Sequence, residues 1–167
     1  MMRKRLFVYI CILMGSLVSC GKRSVPVFAD ADVLARSLYE KAGFETDAIY
    51  AEEVEDTDAF LFGVTVSDFD EMVDDAVCYR KLVDSNGQMM YLFDMESEDQ
   101  AISFAKAFFE HYEFAPCDVA EKMTVISAGH YVIFFKSDAH EVDTATEAFR
   151  ALMDGRIDFQ KEQFNRG

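Results

Sequence analysis

Ala76-Val-Cys-Tyr-Arg-Lys-Leu-Val83, Asp84-Ser-Asn-Gly87 and Gln88-Met-Met-Tyr-Leu-Phe93 follow one another without a break. The first and third segments are short and rich in aliphatic, β-branched and aromatic residues, a composition typical of strands. Between them, Asn86-Gly87 indicates a hairpin turn, because both residues tolerate positive φ. The stretch therefore predicts two antiparallel strands, and the rest of the fold can be worked out from this hairpin.

A capped helix is predicted directly after the hairpin. Ser97-Glu-Asp-Gln100 has the pattern of a capping box. Apolar residues recur behind it at helical spacing. They are Ala101, Phe104, Ala105, Phe108, Phe109 and Tyr112. We expect this face of the helix to be buried and the helix to end before Phe114-Ala-Pro-Cys117.

A second hairpin and a second helix repeat this plan. Met123-Thr-Val-Ile126 and Tyr131-Val-Ile-Phe-Phe135 flank a turn at Ala128-Gly129, and a helix is predicted between Asp138 and Gly155. The unbroken apolar run of the last strand favours a central position, buried on both faces. The order is thus β-β-α-β-β-α, which predicts an α+β fold: one mostly antiparallel sheet with helices packed on a face. The side chains predicted in the core are Phe104, Phe108, Tyr131, Ile133, Phe135 and Phe149.

An N-terminal helix and an acidic segment precede the two hairpins. The helix is predicted between Asp30 and Gly43, because apolar residues recur there at helical spacing. They are Ala31, Leu34, Ala35, Leu38 and Ala42. Residues 45–58 carry seven carboxylates and predict a solvated loop. The alternative interpretation is a divalent-cation site among Glu52, Glu53, Glu55, Asp56 and Asp58.

The first twenty residues have the organisation of a bacterial export signal. Arg3-Lys-Arg5 is positively charged, and the segment from Leu6 to Met14 is uninterruptedly apolar. The apolar run is shorter than the ~20 residues that a membrane-spanning helix needs. Leu17-Val-Ser-Cys20 then closes the segment with an aliphatic residue, a tolerant position, a small residue and a cysteine.

This ending resembles the lipobox of bacterial lipoproteins. The resemblance implies transfer of a diacylglyceryl group to the Cys20 thiol and cleavage between Ser19 and Cys20. Because each buried methylene is worth ~0.8 kcal/mol, palmitate-type acyl chains would hold the protein firmly in the membrane. The expected location is the extracytoplasmic face of the cell membrane, with the lipid on Cys20 as the membrane contact.

These predictions divide the chain into four parts. The mature length, about 148 residues, suits one domain with a sizeable core. The parts are a signal peptide at 1–19, a lipidated N-terminus and tether at 20–29, a single α+β domain at 30–155 and a polar, frayed tail at 156–167.

The charge balance excludes nucleic acid as a partner. The chain has 16 Lys and Arg against 31 Asp and Glu, a formal net charge of −15. Removal of residues 1–19 would take away three positive charges and leave an even more acidic protein. Recognition of phosphate requires clustered Lys and Arg, which this composition does not supply. The same excess disfavours direct adsorption to an anionic bilayer.

The order of these elements resembles an uncharacterised family of bacterial lipoproteins, known mainly from Gram-positive anaerobes and classed as a domain of unknown function. The resemblance rests on Phe62-Gly63 and on Val125-Ile-Ser-Ala-Gly-His-Tyr-Val-Ile-Phe134. Gly129-His-Tyr-Val132 matches the most recognisable strand of that family. The likeness covers most of residues 30–153. It implies an extracytoplasmic lipoprotein with this fold and supplies no activity.

Cys78 and Cys117 are the two thiols of the mature domain. Outside the cytoplasm, a disulfide between them would close a loop of about 40 residues, worth ~3–4 kcal/mol in the chain-entropy model. The alternative is two free thiols, with Cys78 as a small apolar residue in a strand. The reducing habitat that the family resemblance implies favours free thiols.

Recognised catalytic and metal-binding motifs are absent from the sequence. It contains no H-E-x-x-H, C-x-x-C, G-x-S-x-G, P-loop or Rossmann pattern, and His111, His130 and His140 lack the spacing of metal ligands. We therefore expect no cofactor and no catalysis. The expected function is a binding or envelope-associated module, with an unknown protein or small-molecule ligand on an exposed sheet face or on the acidic segment. The alternative is a hydrolase-like enzyme with a dispersed carboxylate site.

Overall fold

The computed structural model describes residues 24–46, 49–81 and 86–166. They form an α+β domain around a six-stranded sheet of order β1-β2-β3-β5-β4-β6, in which every neighbouring pair is antiparallel. The predicted fold class is confirmed. The elements are α1 (Ala31–Ala42), β1 (Ile49–Glu53), a 3-10 helix (Asp56–Phe62), α2 (Val66–Met72), β2 (Val73–Lys81), β3 (Met89–Met95), α3 (Glu98–His111), β4 (Lys122–Ala128), β5 (Tyr131–Ser137), α4 (Ala139–Leu152) and β6 (Phe159–Phe164).

Helices cover both faces of the sheet, whereas the sequence predicted helices on one face. Helices α1 and α4 share a core with the first face, and α3, α2 and the 3-10 helix share a core with the second. The connections β3-α3-β4 and β5-α4-β6 each pass over one strand and step in the same direction along the sheet. Because β3 and β5 are antiparallel, two crossovers of the same hand must place their helices on opposite faces.

The predicted core is confirmed. All six side chains expected there are at most 1% exposed. Strand β5 is central, between β3 and β4, as its unbroken apolar run predicted. The second face is rich in aromatic rings. Phe62 from the 3-10 helix lies at the middle of this cluster, with ring centroids 5.0 Å from both Phe93 and Phe108.

Local capping determines the helix ends that the sequence predicted. Asp30 accepts a hydrogen bond from the Val33 amide at 2.7 Å, and Ser97 accepts one from Gln100. Asp138 does the same for the first turn of α4. Each cap satisfies an amide that the helix itself leaves without a partner. The three predicted helix starts are therefore confirmed.

The acidic segment is not a solvated loop. It contains β1, which pairs with β2 in a register that places Tyr50 opposite Arg80. The segment continues into the 3-10 helix, where Glu55 and Asp58 form a reciprocal capping box. Exposed charged side chains are usual on an edge strand, because they discourage pairing with another chain. The high charge of this segment therefore led to the prediction of a loop, although the segment contains a strand.

The C-terminal residues are not a frayed polar tail. Strand β6 pairs with β4 from Lys122 opposite Phe164 to Ser127 opposite Phe159. The Lys122 ammonium, on a side chain only 6% exposed, lies 2.8 Å from a Glu162 carboxylate oxygen. The domain thus extends past residue 155. Its last strand is polar because it lies at the edge of the sheet.

Part of the predicted tether packs on the domain. Val25 is only 9% exposed, and a Cβ added to Gly129 would lie 2.4 Å from the Val25 Cγ2. The Phe28 amide donates a hydrogen bond to the Tyr131 hydroxyl at 2.9 Å. The chain is therefore anchored to the β4–β5 turn from Val25 onward, because glycine leaves room for the valine there.

The predictions for residues 1–23, including lipidation of Cys20, lie outside the described residues. Within the described ranges, no helix is long and apolar enough to cross a membrane.

Candidate ligand-binding cleft

The two ends of the sheet contain different structural elements. We call the end with the β4–β5 turn the tether end, because Val25 contacts Gly129 there. We call the opposite end the far end; it contains the first residue of β3, Met89, and the last residue of β5, Ser137. Since β5 has seven residues and a strand rises ~3.3 Å per residue, the two ends are about 20 Å apart.

A cleft of about 660 Å³ opens at the far end, on the second face. One wall is the end of the 3-10 helix, residues 60–62, and the other is the end of α3 with the residues that follow it, 110–113. Met89 and Tyr91 line it from β3, and Phe108 from α3. We call this feature the aromatic cleft. Its volume is in the range of sites for small molecules.

Gly63 brings the two walls together. It ends the 3-10 helix in the left-handed conformation with φ +74°. A Cβ at this position would lie 2.6 Å from the His111 Cβ and 3.1 Å from the Ala107 carbonyl oxygen. Only glycine allows this close approach, so the spacing of the walls depends on Gly63.

A set of three hydrogen-bonded side chains supports the floor of the cleft. Arg80 donates from Nε to the Cys78 sulfur at 3.3 Å and from Nη2 to the Tyr91 hydroxyl oxygen at 3.2 Å. Burial raises the pKa of the Cys78 thiol and raises the pKa of Tyr91 to about 12. Both groups are therefore protonated near neutral pH, and Cys78 is not an activated nucleophile.

Neither cysteine of the domain forms a disulfide. Cys78 is buried in β2, and Cys117 is exposed in the connection after α3. Cys78 faces Tyr91 across the β2–β3 pair, in the aromatic cluster of the second face. The structure thus has the free thiols that the sequence offered as the alternative to a disulfide.

Tyr112 is held in place by a second polar group. Its hydroxyl donates to a carboxylate oxygen of Asp118 at 3.4 Å, and the same oxygen lies 2.5 Å from the Lys136 ammonium. Burial, followed by the nearby Asp118 charge, raises the pKa of Tyr112. The phenol is therefore neutral, and its ring presents an ordered aromatic surface to the cleft.

The rim of the cleft is apolar on one side and acidic on the other. Phe60 is 65% exposed and Leu61 39% exposed on the 3-10 helix. Glu110 and Glu113 are exposed on the opposite wall, together with His111. The arrangement can enclose an apolar group and place a polar or charged group at the acidic rim.

A second, open depression of about 710 Å³ adjoins the cleft through Glu113. It lies between Phe109 of α3 and Phe164 of β6. The chain places its own cations on these rings: the Lys122 ammonium is 5.3 Å from the Phe164 centroid, and the Lys161 ammonium is 5.4 Å from the Phe109 centroid. The aromatic rings at the far end therefore already accept cations.

The three histidines are not brought together. His111 lines the cleft, His130 lies in the β4–β5 turn 3.5 Å from an Asp94 oxygen, and His140 is in the first turn of α4. Across the described part of the chain, no group of three or more His, Cys, Asp or Glu side chains is placed to hold a metal ion. Of the acidic residues weighed as a cation site, Glu52 lies 3.7 Å from the Arg80 guanidinium.

Two carboxylates with raised pKa values lie at the tether end. Burial raises the pKa of Asp94, and a hydrogen bond with Asp74 raises the pKa of Glu96. Both residues lie at or just beyond the end of β3, whereas the cleft is lined by its beginning. The cleft therefore does not combine a cavity with these carboxylates, an arrangement that would favour a carboxylate-based enzyme.

Sequence reasoning did not identify the cleft. The predicted end of α3 before Phe114 is correct, but the sequence patterns did not connect it with residues 60–63. The available indication was the Phe60-Leu-Phe62 triplet: a single turn against a core cannot bury three large side chains, and only Phe62 is buried. Helices cover both faces of the central strands, whereas β1 and β6 keep exposed residues, so the expected site on an exposed sheet face stays a prediction.

The fold and the cleft together define an α+β domain with an open aromatic site at one end of a sheet whose central strands are covered on both faces. In comparisons with known proteins, no protein-family profile, no curated protein and no solved structure matches this chain.

Proposed function

We propose that this protein is a membrane-anchored extracytoplasmic lipoprotein, of the family that its sequence resembles, and that its domain binds a ligand in the aromatic cleft. The observation that carries the binding function is the exposure of Phe60 and Leu61 on the wall of a cavity. Single exposed apolar residues are common, but apolar side chains that border a concave site are typical of binding surfaces.

The position of the cleft supports this function. The described chain begins at the tether end, and the cleft opens about 20 Å away at the far end. If Cys20 carries the lipid, the five residues to Val25 span at most ~18 Å. Such a short tether holds the domain close to the membrane with the tether end inward, so the cleft is open to the extracytoplasmic solution.

The anchor is tested by Cys20→Ala. We expect the variant to lose incorporation of labelled palmitate and to move from the membrane fraction to the soluble fraction or to be retained as uncleaved precursor, because the alkylated thiol is gone. The measurement is metabolic labelling with palmitate in cells that naturally produce the protein, followed by separation of their membrane and soluble fractions. Cys117→Ala, which removes an exposed thiol of the domain, is the control and should keep both the label and the location. Acyl label on the Cys20→Ala variant would refute lipidation at this residue.

The cleft is tested with methionine methyl groups as reporters. In protein labelled with ¹³C at the methionine methyl groups, Met89 reports on the cleft, whereas Met90 and Met123 are fully buried outside its lining. Among small aromatic probes of positive, neutral and negative charge, we expect at least one class to shift the Met89 signal and leave the other two unchanged.

A matched pair of variants localises this binding. Leu61→Asn should weaken it at least about fivefold, because an apolar wall is lost. Val66→Asn removes a comparably exposed aliphatic side chain from α2, outside the cleft lining, and should leave the affinity unchanged. Absence of any Met89 shift at millimolar probe would contradict a binding function for the cleft.

A further inference from the structure

We propose that the ligand of the aromatic cleft is an organic cation with an apolar body, an ammonium or guanidinium group joined to an aromatic or alkyl group. This inference rests on the proposed binding function and adds the charge of the ligand. Three sources of negative potential and one set of aromatic surfaces point to it.

The first source is the pair of carboxylates on the rim. Glu110 and Glu113 are exposed on the same wall of the cleft. Within the described ranges, neither carboxylate has an ion pair within 4 Å of Lys, Arg or His. The rim therefore carries negative charge that a bound cation can compensate.

The second source is the end of helix α3. This helix of 14 residues runs from Glu98 at the tether end to His111 at the cleft, so its carbonyl end points toward the cleft. Aligned peptide dipoles give the carbonyl end of a helix a partial negative charge, which favours cations within the last turn. The dipole and the two rim carboxylates thus act in the same direction.

Two basic groups near the cleft, Arg80 and Lys136, do not offset this potential. The Arg80 guanidinium lies 3.7 Å from Glu52, and the Lys136 ammonium lies 2.5 Å from Asp118. Each cation is matched by a carboxylate other than those on the rim.

The third source of negative potential is the whole chain, whose net charge of −15 attracts cations and repels anions before contact.

The aromatic walls suit the same ligand. A cation over an aromatic face is attracted by the ring quadrupole, and the contact strengthens when water is partly excluded. The chain uses this contact beside the cleft, where the Lys161 ammonium lies over Phe109. Phe60, 65% exposed, and Tyr112 offer rings within the cleft itself. An apolar anion would meet the same rings together with repulsion from the rim.

The test compares three probes of matched shape: phenethylamine, 2-phenylethanol and 3-phenylpropanoate. Each is titrated at constant ionic strength into protein with ¹³C-labelled methionine methyl groups, with the Met89 signal as the readout. We expect the ammonium compound to bind at least about tenfold more tightly than the carboxylate and several-fold more tightly than the alcohol.

Two double variants of equal charge separate the rim from the net charge. Glu110→Gln with Glu113→Gln should reduce the affinity for phenethylamine to that for the alcohol. Glu40→Gln with Glu71→Gln makes the same change in net charge at exposed sites outside the cleft lining and should leave most of the affinity. Equal losses in the two double variants would overturn the assignment to the rim carboxylates.

A further pair of probes identifies the source of the cation. N-acetyl-Phe-Lys-amide and N-acetyl-Phe-norleucine-amide differ only in the side-chain ammonium. Tighter binding of the lysine peptide than of phenethylamine indicates a basic segment of a protein as the natural source, and the reverse indicates a free amine. Both outcomes support a cationic ligand, whereas equal binding of the two peptides and of the three small probes overturns it and leaves the cleft as a charge-indifferent site. If no probe shifts the Met89 methyl signal, the proposed binding function of the cleft is overturned as well.

Discussion

Phe108→Ala is expected to lower the free energy of unfolding by about 3–5 kcal/mol, the usual loss for truncating a core aromatic residue. Phe108 is 1% exposed, and its ring centroid lies 4.8 Å from that of Phe134 on the sheet and 5.0 Å from that of Phe62 on the 3-10 helix. The side chain thus joins three elements of the second face, and its removal leaves a cavity among rings that cannot collapse. Urea or guanidinium unfolding followed by circular dichroism measures the loss.

Phe60→Ala is the matched control for this substitution. It removes the same atoms from a side chain that is 65% exposed, so a change within about 0.5 kcal/mol is expected. Unfolding curves of equal midpoint for Phe108→Ala and the unchanged protein would show that the aromatic core of the second face contributes no stability.

Gly63→Ala is expected to lower the free energy of unfolding by about 2–5 kcal/mol. A residue with a Cβ pays roughly 1–2 kcal/mol in the left-handed region, where Gly63 has φ +74°. The added methyl would also lie 2.6 Å from the His111 Cβ, and overpacking of this kind costs typically 1–3 kcal/mol. Because relief of the clash must separate the 3-10 helix from α3, we expect the Met89 methyl signal to shift as well.

Gly43→Ala separates the two causes. Gly43 ends helix α1 with φ +72°, and a Cβ there would have no atom of the described residues within 4 Å. The substitution should therefore cost only the conformational part, roughly 1–2 kcal/mol. Equal losses at positions 43 and 63 would contradict the close approach of the two cleft walls.

Local physical chemistry made much of the fold predictable. The caps at Asp30, Ser97 and Asp138 act over three residues, and the apolar stripes behind them repeat every turn. The strands of the two hairpins are apolar because both of their faces are covered. Such features depend on residues that are close together in the sequence, and the structure confirms the elements they predicted.

Strands β1 and β6 were missed because edge strands lack that local pattern. Each has one strand neighbour and carries exposed charges, such as Glu53 in β1 and Lys161 in β6. Their stability comes from a hydrogen-bonded ladder to residues 24 or more positions away, as for Glu53 opposite Val77 in one register and Thr124 opposite Glu162 in the other. An acidic or polar composition alone does not distinguish such a strand from a loop.

Local sequence patterns account for the two hairpins, the three capped helices and the motif at Cys20 that predicts a lipid anchor. The tertiary structure decided which face each helix covers, because that depends on strand direction and crossover hand. It also decided the aromatic cleft, whose walls, residues 60–62 and 110–113, are about fifty positions apart in the chain. The contact of Gly63 with His111 that joins these walls is a packing interaction between distant residues, and packing of that kind leaves no periodic trace in the sequence.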